Sequence, residues 1–329
     1  MERFLLERLA SQIIGQLARA GTGATATGAA LPELLGQTIA TTGTKAIRGR
    51  MARTLGILAG GGALPARVAA AAVAAGRAVF IVALDGFADQ RSLAPWPHEV
   101  IRMGAAGRIL AALHAHGCQD LVLIGTVRRP SIFDLRPDPE GAKLLGRIGR
   151  AAFAGDDGLL AAVVKVLGDA GFQVVGAQDI MSEALGPVGN LTRTSPDAMA
   201  MADIQRGIDV ARALGAVDVG QGCVVQQGLV LAVEAVEGTD AMIGRCGALG
   251  RPGPGGVLVK LVKPGQDRRA DLPTIGPDTM RHAAAAGLRG VAFEAGGTIL
   301  AERDASIAAA DQAGLFLLGL DQDMINQRR

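Results

Sequence analysis

The sequence predicts an α/β protein of two domains, an N-terminal Rossmann-like parallel sheet and a C-terminal mixed α/β domain, with a ligand cleft between them. Three observations carry this. At 329 residues the chain exceeds one comfortable core. Short apolar, β-branched runs alternate with helical patterns from Leu55 onward, as parallel sheets require. A Gly/Pro/Thr-rich break, Leu185 to Pro196, then divides the chain. The boundaries are a 1–50 extension (a helix plus a flexible linker), a 51–183 domain, a 184–196 linker and a 197–326 domain. With 49% hydrophobic residues, 47 glycines, no tyrosine and one tryptophan (Trp96), the composition suits an Ala/Gly/Val-rich enzyme and not a disordered chain.

Within 1–20, Leu5, Leu9, Ile13 and Leu17 recur four apart, an amphipathic helix. The Gly/Thr/Ala-rich run 21–45 reads as a linker. Acidic residues in the first turn and the lack of a charge-free apolar core argue against a secretory signal. The apolar strand from Leu55 runs into Gly60-Gly61-Gly62 and a helix over 64–75. Such a turn either cradles a phosphate with backbone amides or packs strand tightly on helix; it is neither G-x-G-x-x-G nor a Walker A loop. Strands follow at 78–84 and 99–103, then a helix at 105–117. Next comes a strand from Asp120 that ends in Gly125-Thr126-Val127-Arg128-Arg129. The two strand-to-glycine turns can meet at the carboxyl edge of one parallel sheet, where ligands gather. Asp156-Asp157 reads as the N-cap of a helix over 156–170, before a strand at 172–176.

In the second half Ser195-Pro196-Asp197 starts a helix to Leu214, and a hairpin from Cys223 turns at Gln227-Gly228. The run 257–263 is a strand stopped at Pro264-Gly265. Helix is expected at 283–286, strand and turn at 290–297, and a last helix and strand at 303–313 and 315–320.

A net charge of +2 and no interleaving of basic and aromatic residues argue against a nucleic-acid ligand. Cys118, Cys223 and Cys246 lie far apart, suggesting neither disulfides nor a zinc site. No apolar run is long enough to span a membrane. No acidic residue in the right context supports NAD. His114 and His116 point away from each other on a helix, and His98 and His282 stand alone.

The chemistry-bearing stretch is 257–279. Lys260, Lys263, Arg268 and Arg269 can neutralise phosphate oxygens, and a carboxylate of Asp267 or Asp271 can hold a divalent metal or orient a water. The alternative is a solvated loop of surface ion pairs, which Pro273 and Gly276 disfavour by stiffening it. Glu234, Glu237, Thr239 and Asp240 cluster where another apolar run stops. Glu237-Gly-Thr-Asp240 offers hard oxygens for Mg²⁺, or merely caps a helix.

Taken together, Leu55-Gly-Ile-Leu-Ala-Gly-Gly-Gly-Ala-Leu-Pro65, Gly125-Thr-Val-Arg-Arg-Pro130, Gly155-Asp-Asp157, Met201-Ala-Asp-Ile204, Asp218-Val-Gly-Gln-Gly222, Val233-Glu-Ala-Val-Glu-Gly-Thr-Asp-Ala-Met242, Lys263-Pro264 and Asp271-Leu-Pro-Thr-Ile-Gly276 resemble the LpxI family of UDP-2,3-diacylglucosamine hydrolases of lipid A biosynthesis. They run in family order from about 53 to 320. The 1–50 extension departs from the pattern, and Thr126 stands where asparagine is expected. The resemblance implies Mg²⁺-dependent cleavage of the UDP-2,3-diacylglucosamine diphosphate to UMP and 2,3-diacylglucosamine 1-phosphate (lipid X). It implies work at the cytoplasmic face of the inner membrane, with transient contact with that surface, and leaves room for a homodimer. Asp271 matches the family's key catalytic aspartate, and Gln221 and Thr239 match further active-site positions. Asp271, Asp240 and Glu237 are the expected metal ligands. The expected substrate contacts are Gly60, Gly61, Gly62, Thr126, Arg128, Arg129, Lys263, Arg268, Arg269 and Thr274. Two other readings stay open: another sugar-nucleotide enzyme such as a nucleotidyltransferase, and a non-catalytic carrier of lipid or nucleotide.

Overall fold

In strand β2 (Val79–Leu84) all six residues are buried, and alternate side chains enter two different cores. That is the mark of a strand covered on both faces. A computed structural model of the chain describes residues 53–128, 135–149 and 156–327. The helix and linker expected over 1–50, and Arg129, lie outside these residues.

β2 is one of five parallel strands with β1 (Thr54–Ala59), β3 (His98–Ile101), β4 (Cys118–Ile124) and β5 (Gln173–Val174). Their order is β3-β2-β1-β4-β5. The helix Leu64–Ala74 covers one face, setting Val68, Ala69 and Ala72 against Leu55, Ile57 and Ile81. Ala106–Ala115 and Asp156–Asp169 cover the other, setting Ile109, Leu113, Val164 and Leu167 against Phe80, Val82 and Leu121. The histidines serve packing here: His116 stacks on Phe80 and His114 on Phe172.

The second half contributes β6 (Gly189–Asn190), β7 (Gly222–Gln226), β8 (Leu229–Val233), β9 (Val257–Lys260), β10 (Thr274–Ile275), β11 (Gly290–Glu294), β12 (Ile299–Leu300) and β13 (Phe316–Leu320). Six of these form a mixed sheet ordered β6-β13-β11-β9-β7-β8, with β9, β11 and β13 parallel; β10 pairs with β12. Strand alternation again sorts the core. Val257 and Val259 face Ile204 and Ile208 of the helix Ala198–Ala216, while Leu258 faces Met242, Ile243 and Met280. Gly207 lets that helix approach, since a Cβ there would lie 2.4 Å from Val259 Cγ2.

Among the elements that differ from expectation are three in the second half. β9 ends at Lys260, not at 263, because the next amides leave the ladder: Val262 N–H donates to Glu294 Oε2 and Lys263 N–H to Gln266 Oε1. The helix expected at 283–286 starts at Pro277, whose fixed φ and missing N–H suit a first helical position. A short helix, Gln322–Asn326, follows β13, capped by Asp321, which accepts from Met324 N–H.

The halves share packing. Leu272 and Ile299 join the core formed by β1, β2 and the Leu64–Ala74 helix. Gly186 N–H donates to Thr298 O at 2.9 Å, and Gln178 Nε2 to Arg268 O at 3.1 Å.

Candidate active site

The loop from β9 to β10 runs along this junction. Asp267 O accepts the amides of Ala270 and Asp271, closing a turn that presents Asp271. Gln266, itself buried, donates from Nε2 to Asp271 Oδ2 at 2.7 Å and so ties both ends of the loop. Burial pushes the Asp271 carboxyl above the usual range; Lys263 and Lys260 pull it back, Asp157 pushes it up, and the Gln266 hydrogen bond lowers it. Asp271 Oδ1 has no hydrogen-bond partner among the described residues.

The cations of this loop are each paired. Lys263 Nζ lies 2.8 Å from Asp157 Oδ1 and 2.6 Å from Asp218 Oδ1. Burial works against its charge, but the hydrogen bonds to Asp157 and Asp218 prevail and hold its pKa above the ordinary lysine value. Asp157 is therefore a partner across the junction. Arg268 pairs with Glu294 at 3.1 Å, and Arg269 grips Asp267 at 2.9 and 2.7 Å.

At the other side stands the helix Thr239–Cys246, entered through Gly238 at φ 80°. Thr239 Oγ1 donates to Glu234 Oε1 at 2.6 Å and accepts from Lys260 Nζ at 2.6 Å. Lys260 and Glu234 are 5% and 6% exposed, so this is an interior network. Lys260 Nζ also approaches Thr274 O at 3.5 Å, while Thr274 Oγ1 donates to Leu272 O. The sequence marks Lys260 as a phosphate-neutralising cation and Glu234 as one of a cluster of carboxylates, but not that the two meet around Thr239. The signal available was a lysine inside Val-Leu-Val-Lys and a glutamate ending Leu-Val-Leu-Ala-Val-Glu, two paired charges at one sheet edge. Gln221, next to β7, accepts Leu261 N–H on its carbonyl, and its buried Oε1 has no partner among the described residues.

The expected metal set is not assembled. Glu237 is exposed and bound to Arg245 at 2.8 Å, and Asp240 lies 3.2 Å from His282 Nδ1. Both carboxylates are exposed at the start of the Thr239–Cys246 helix, each engaged with its own partner. Among the described residues no group of three or more His, Cys, Asp or Glu side chains could hold a metal.

The two glycine turns of the first sheet do meet. Gly61 and Thr126 exchange backbone hydrogen bonds at 2.8 and 2.9 Å, and Gly60 N–H donates to Ile124 O. A Cβ on Gly60 would lie 2.8 Å from the Gly125 carbonyl, so these glycines are needed for close backbone approach. The amides of Gly60 and Gly61 are thus unavailable to a phosphate, which corrects their expected role. Gly62, at φ 86°, has open space around it and no acceptor for its N–H among the described residues. Thr126 and Arg128 are exposed beside it on the adjoining turn.

Family comparison accords with this two-sheet arrangement. Residues 54–184 match the model described as LpxI N-terminal domain, and residues 187–318 the LpxI C-terminal domain. A relative from Caulobacter vibrioides, named UDP-2,3-diacylglucosamine pyrophosphatase LpxI, is 47% identical over 275 residues, covering 82% of this chain and 98% of its own length.

Proposed function

The chain belongs to the LpxI family, and on that premise we propose that it hydrolyses the diphosphate of UDP-2,3-diacylglucosamine to UMP and lipid X, with Mg²⁺ as cofactor. The observation that carries the reading is Asp271, half-buried in the turn at the junction, with Oδ2 held by Gln266 and Oδ1 unpartnered among the described residues. A carboxylate fixed by one oxygen, with the charges of Lys263 and Lys260 acting on it, suits a reaction in which charge develops on phosphoryl oxygens.

Mg²⁺ commonly takes one or two carboxylates and completes its shell with substrate phosphates and waters. Asp271 Oδ1 fits that requirement; Glu237 and Asp240, held by Arg245 and His282, do not. When bound, the ion would offset negative charge on the phosphoryl oxygens. Asp271 would hold the ion or the attacking water. Gln221 Oε1, a buried acceptor without a partner among the described residues, suits a water or a substrate N–H. Lys263 would meet the diphosphate by exchanging a carboxylate partner for a phosphate oxygen, and Arg268 and Arg269 likewise. The Gly62 amide, Thr126 and Arg128 would contact the nucleotide from the first sheet. A substrate with two acyl chains supports a cytoplasmic protein working peripherally at the inner membrane; among the described residues no helix is long and apolar enough to cross one.

The test is to incubate the full chain with UDP-2,3-diacylglucosamine in Mg²⁺ or in EDTA and measure UMP and lipid X. Release in Mg²⁺ and loss in EDTA are expected, with Asp271→Ala lowering kcat by about a hundredfold or more at unchanged circular dichroism. Wild-type turnover by folded Asp271→Ala would overturn the assignment. Folded wild type that retains lipid X without releasing UMP would favour the carrier reading.

A further inference from the structure

The network behind Thr239 fixes which way its hydroxyl faces, and this has chemical content. Lys260 closes β9, opposite Gly222 of β7 and Phe293 of β11. Alternation along β9 sends its side chain to the same face as Leu258, toward the helix that Thr239 opens. Gly222 is what admits the Glu234 carboxylate, since a Cβ there would lie 2.8 Å from Glu234 Oε2. An ammonium has only donors, so the 2.6 Å contact with Thr239 Oγ1 is donated by Lys260. The single hydroxyl proton then goes to Glu234 Oε1, also at 2.6 Å. Lys260 and Glu234, 3.9 Å apart, balance each other's charge around it. One lone pair on Thr239 remains.

Resting on the hydrolase reading, we propose that Lys260 and Glu234 are positioning residues that make Thr239 an obligate acceptor for the attacking water. A phosphodiester oxygen carries no proton at neutral pH and cannot donate to that lone pair; a water can. In the step itself the water oxygen bonds to phosphorus while the anhydride P–O bond breaks, its electron pair leaving with the departing phosphate. Thr239 accepts one O–H of the water, and the proton lost as the new P–O bond forms passes to solvent. Thr239 therefore serves the nucleophile and not the ground-state grip on the diphosphate.

The test uses the full chain with UDP-2,3-diacylglucosamine and Mg²⁺, comparing wild type with Thr239→Ser, Thr239→Val, Lys260→Met and Glu234→Gln. Thr239→Val and Lys260→Met should lower kcat by about a hundredfold, the scale of a lost general acid–base contact. KM should stay within about twofold, because an interaction with the water alone is absent from substrate binding. Thr239→Ser, which keeps the hydroxyl, should recover most of the rate, and Glu234→Gln, which keeps an acceptor, should lose less than Lys260→Met. A raised KM at unchanged kcat, or wild-type turnover by Thr239→Val, would overturn the proposal. Should Lys260→Met fail to fold, the near-isosteric Thr239→Val carries the test alone. A silent wild type would instead strike the hydrolase reading, so the two failures are distinguishable.

Discussion

Burying a carboxylate that has to work as an anion costs stability, and Asp271 is the residue where this cost is measurable. Its folded pKa stands above the ordinary value, chiefly through burial, so the folded state holds the proton longer than the unfolded chain does. The sign follows. Stability contributed by the neutral form is fully present below the unfolded pKa, about 3.9, and is lost as pH rises through the folded pKa. Asparagine cannot ionise, yet its carbonyl still accepts from Gln266. Asp271→Asn should therefore melt higher than wild type at pH 7 while being inactive, a trade of stability for function. The gap should close below about pH 4, where both proteins are neutral at this position. Thermal melts at the two pH values decide it; equal melts at neutral pH would mean that burial does not burden this carboxylate. Asp271 was legible in the sequence because it sits in a motif. The inward placement of Lys260 was not, because Val-Leu-Val-Lys-Leu-Val-Lys does not reveal that one lysine ends the strand facing inward while the other leaves the sheet.

The β7–β8 hairpin shows how far local chemistry carries the fold and where it stops. Gln227 and Gly228 both have positive φ, 52° and 77°, the backbone of a tight two-residue turn. The Gln-Gly pair between apolar runs makes that turn readable. What holds it is not: Asp203, in the middle of the Ala198–Ala216 helix and 2% exposed, accepts from Gln227 N–H at 3.0 Å and Gly228 N–H at 2.7 Å. A mid-helix aspartate reads from sequence as a solvated side chain, since nothing local says that a distant turn lies against it. The short strands show the same limit. β5 and β10 are two residues each, below what periodicity can detect, and are defined by their neighbours. Replacing Asp203 by alanine leaves two turn amides without their acceptor, which should cost about 2–3 kcal/mol in urea unfolding. Asp203→Asn keeps one carbonyl acceptor and should cost less. An alanine variant as stable as wild type would show that water satisfies those amides equally well.

At the scale of the whole molecule, the two sheets are fastened where the candidate chemistry lies. Leu272, the residue after Asp271, is buried in the core of the first half. Lys263 reaches Asp157 from the first half and Asp218 from the second, and Asp157 N–H in turn donates to Asp218 Oδ2 at 3.2 Å. The meeting of the Gly60–Gly62 and Gly125–Thr126 turns followed from strand order, which alternation makes readable. The Lys263 junction did not, because it joins three segments through side chains whose partners only the tertiary structure selects. The junction predicts an asymmetry between its members. Asp157→Asn leaves Lys263 charged and still paired with Asp218, so the loss should be about 1–2 kcal/mol, the worth of one charge-assisted hydrogen bond. Lys263→Met removes the shared cation and leaves two half-buried carboxylates facing each other, which should cost more, about 2–3 kcal/mol, between the ranges for exposed and buried pairs. The Lys263→Met loss should also shrink as pH falls, because burial and Asp218 together raise the Asp157 pKa and a protonated Asp157 no longer repels its neighbour. Urea unfolding of both variants at pH 7 and pH 5 measures this. Equal losses for the two, or a Lys263→Met loss that ignores pH, would show that the lysine does not hold the halves together as a shared counter-ion.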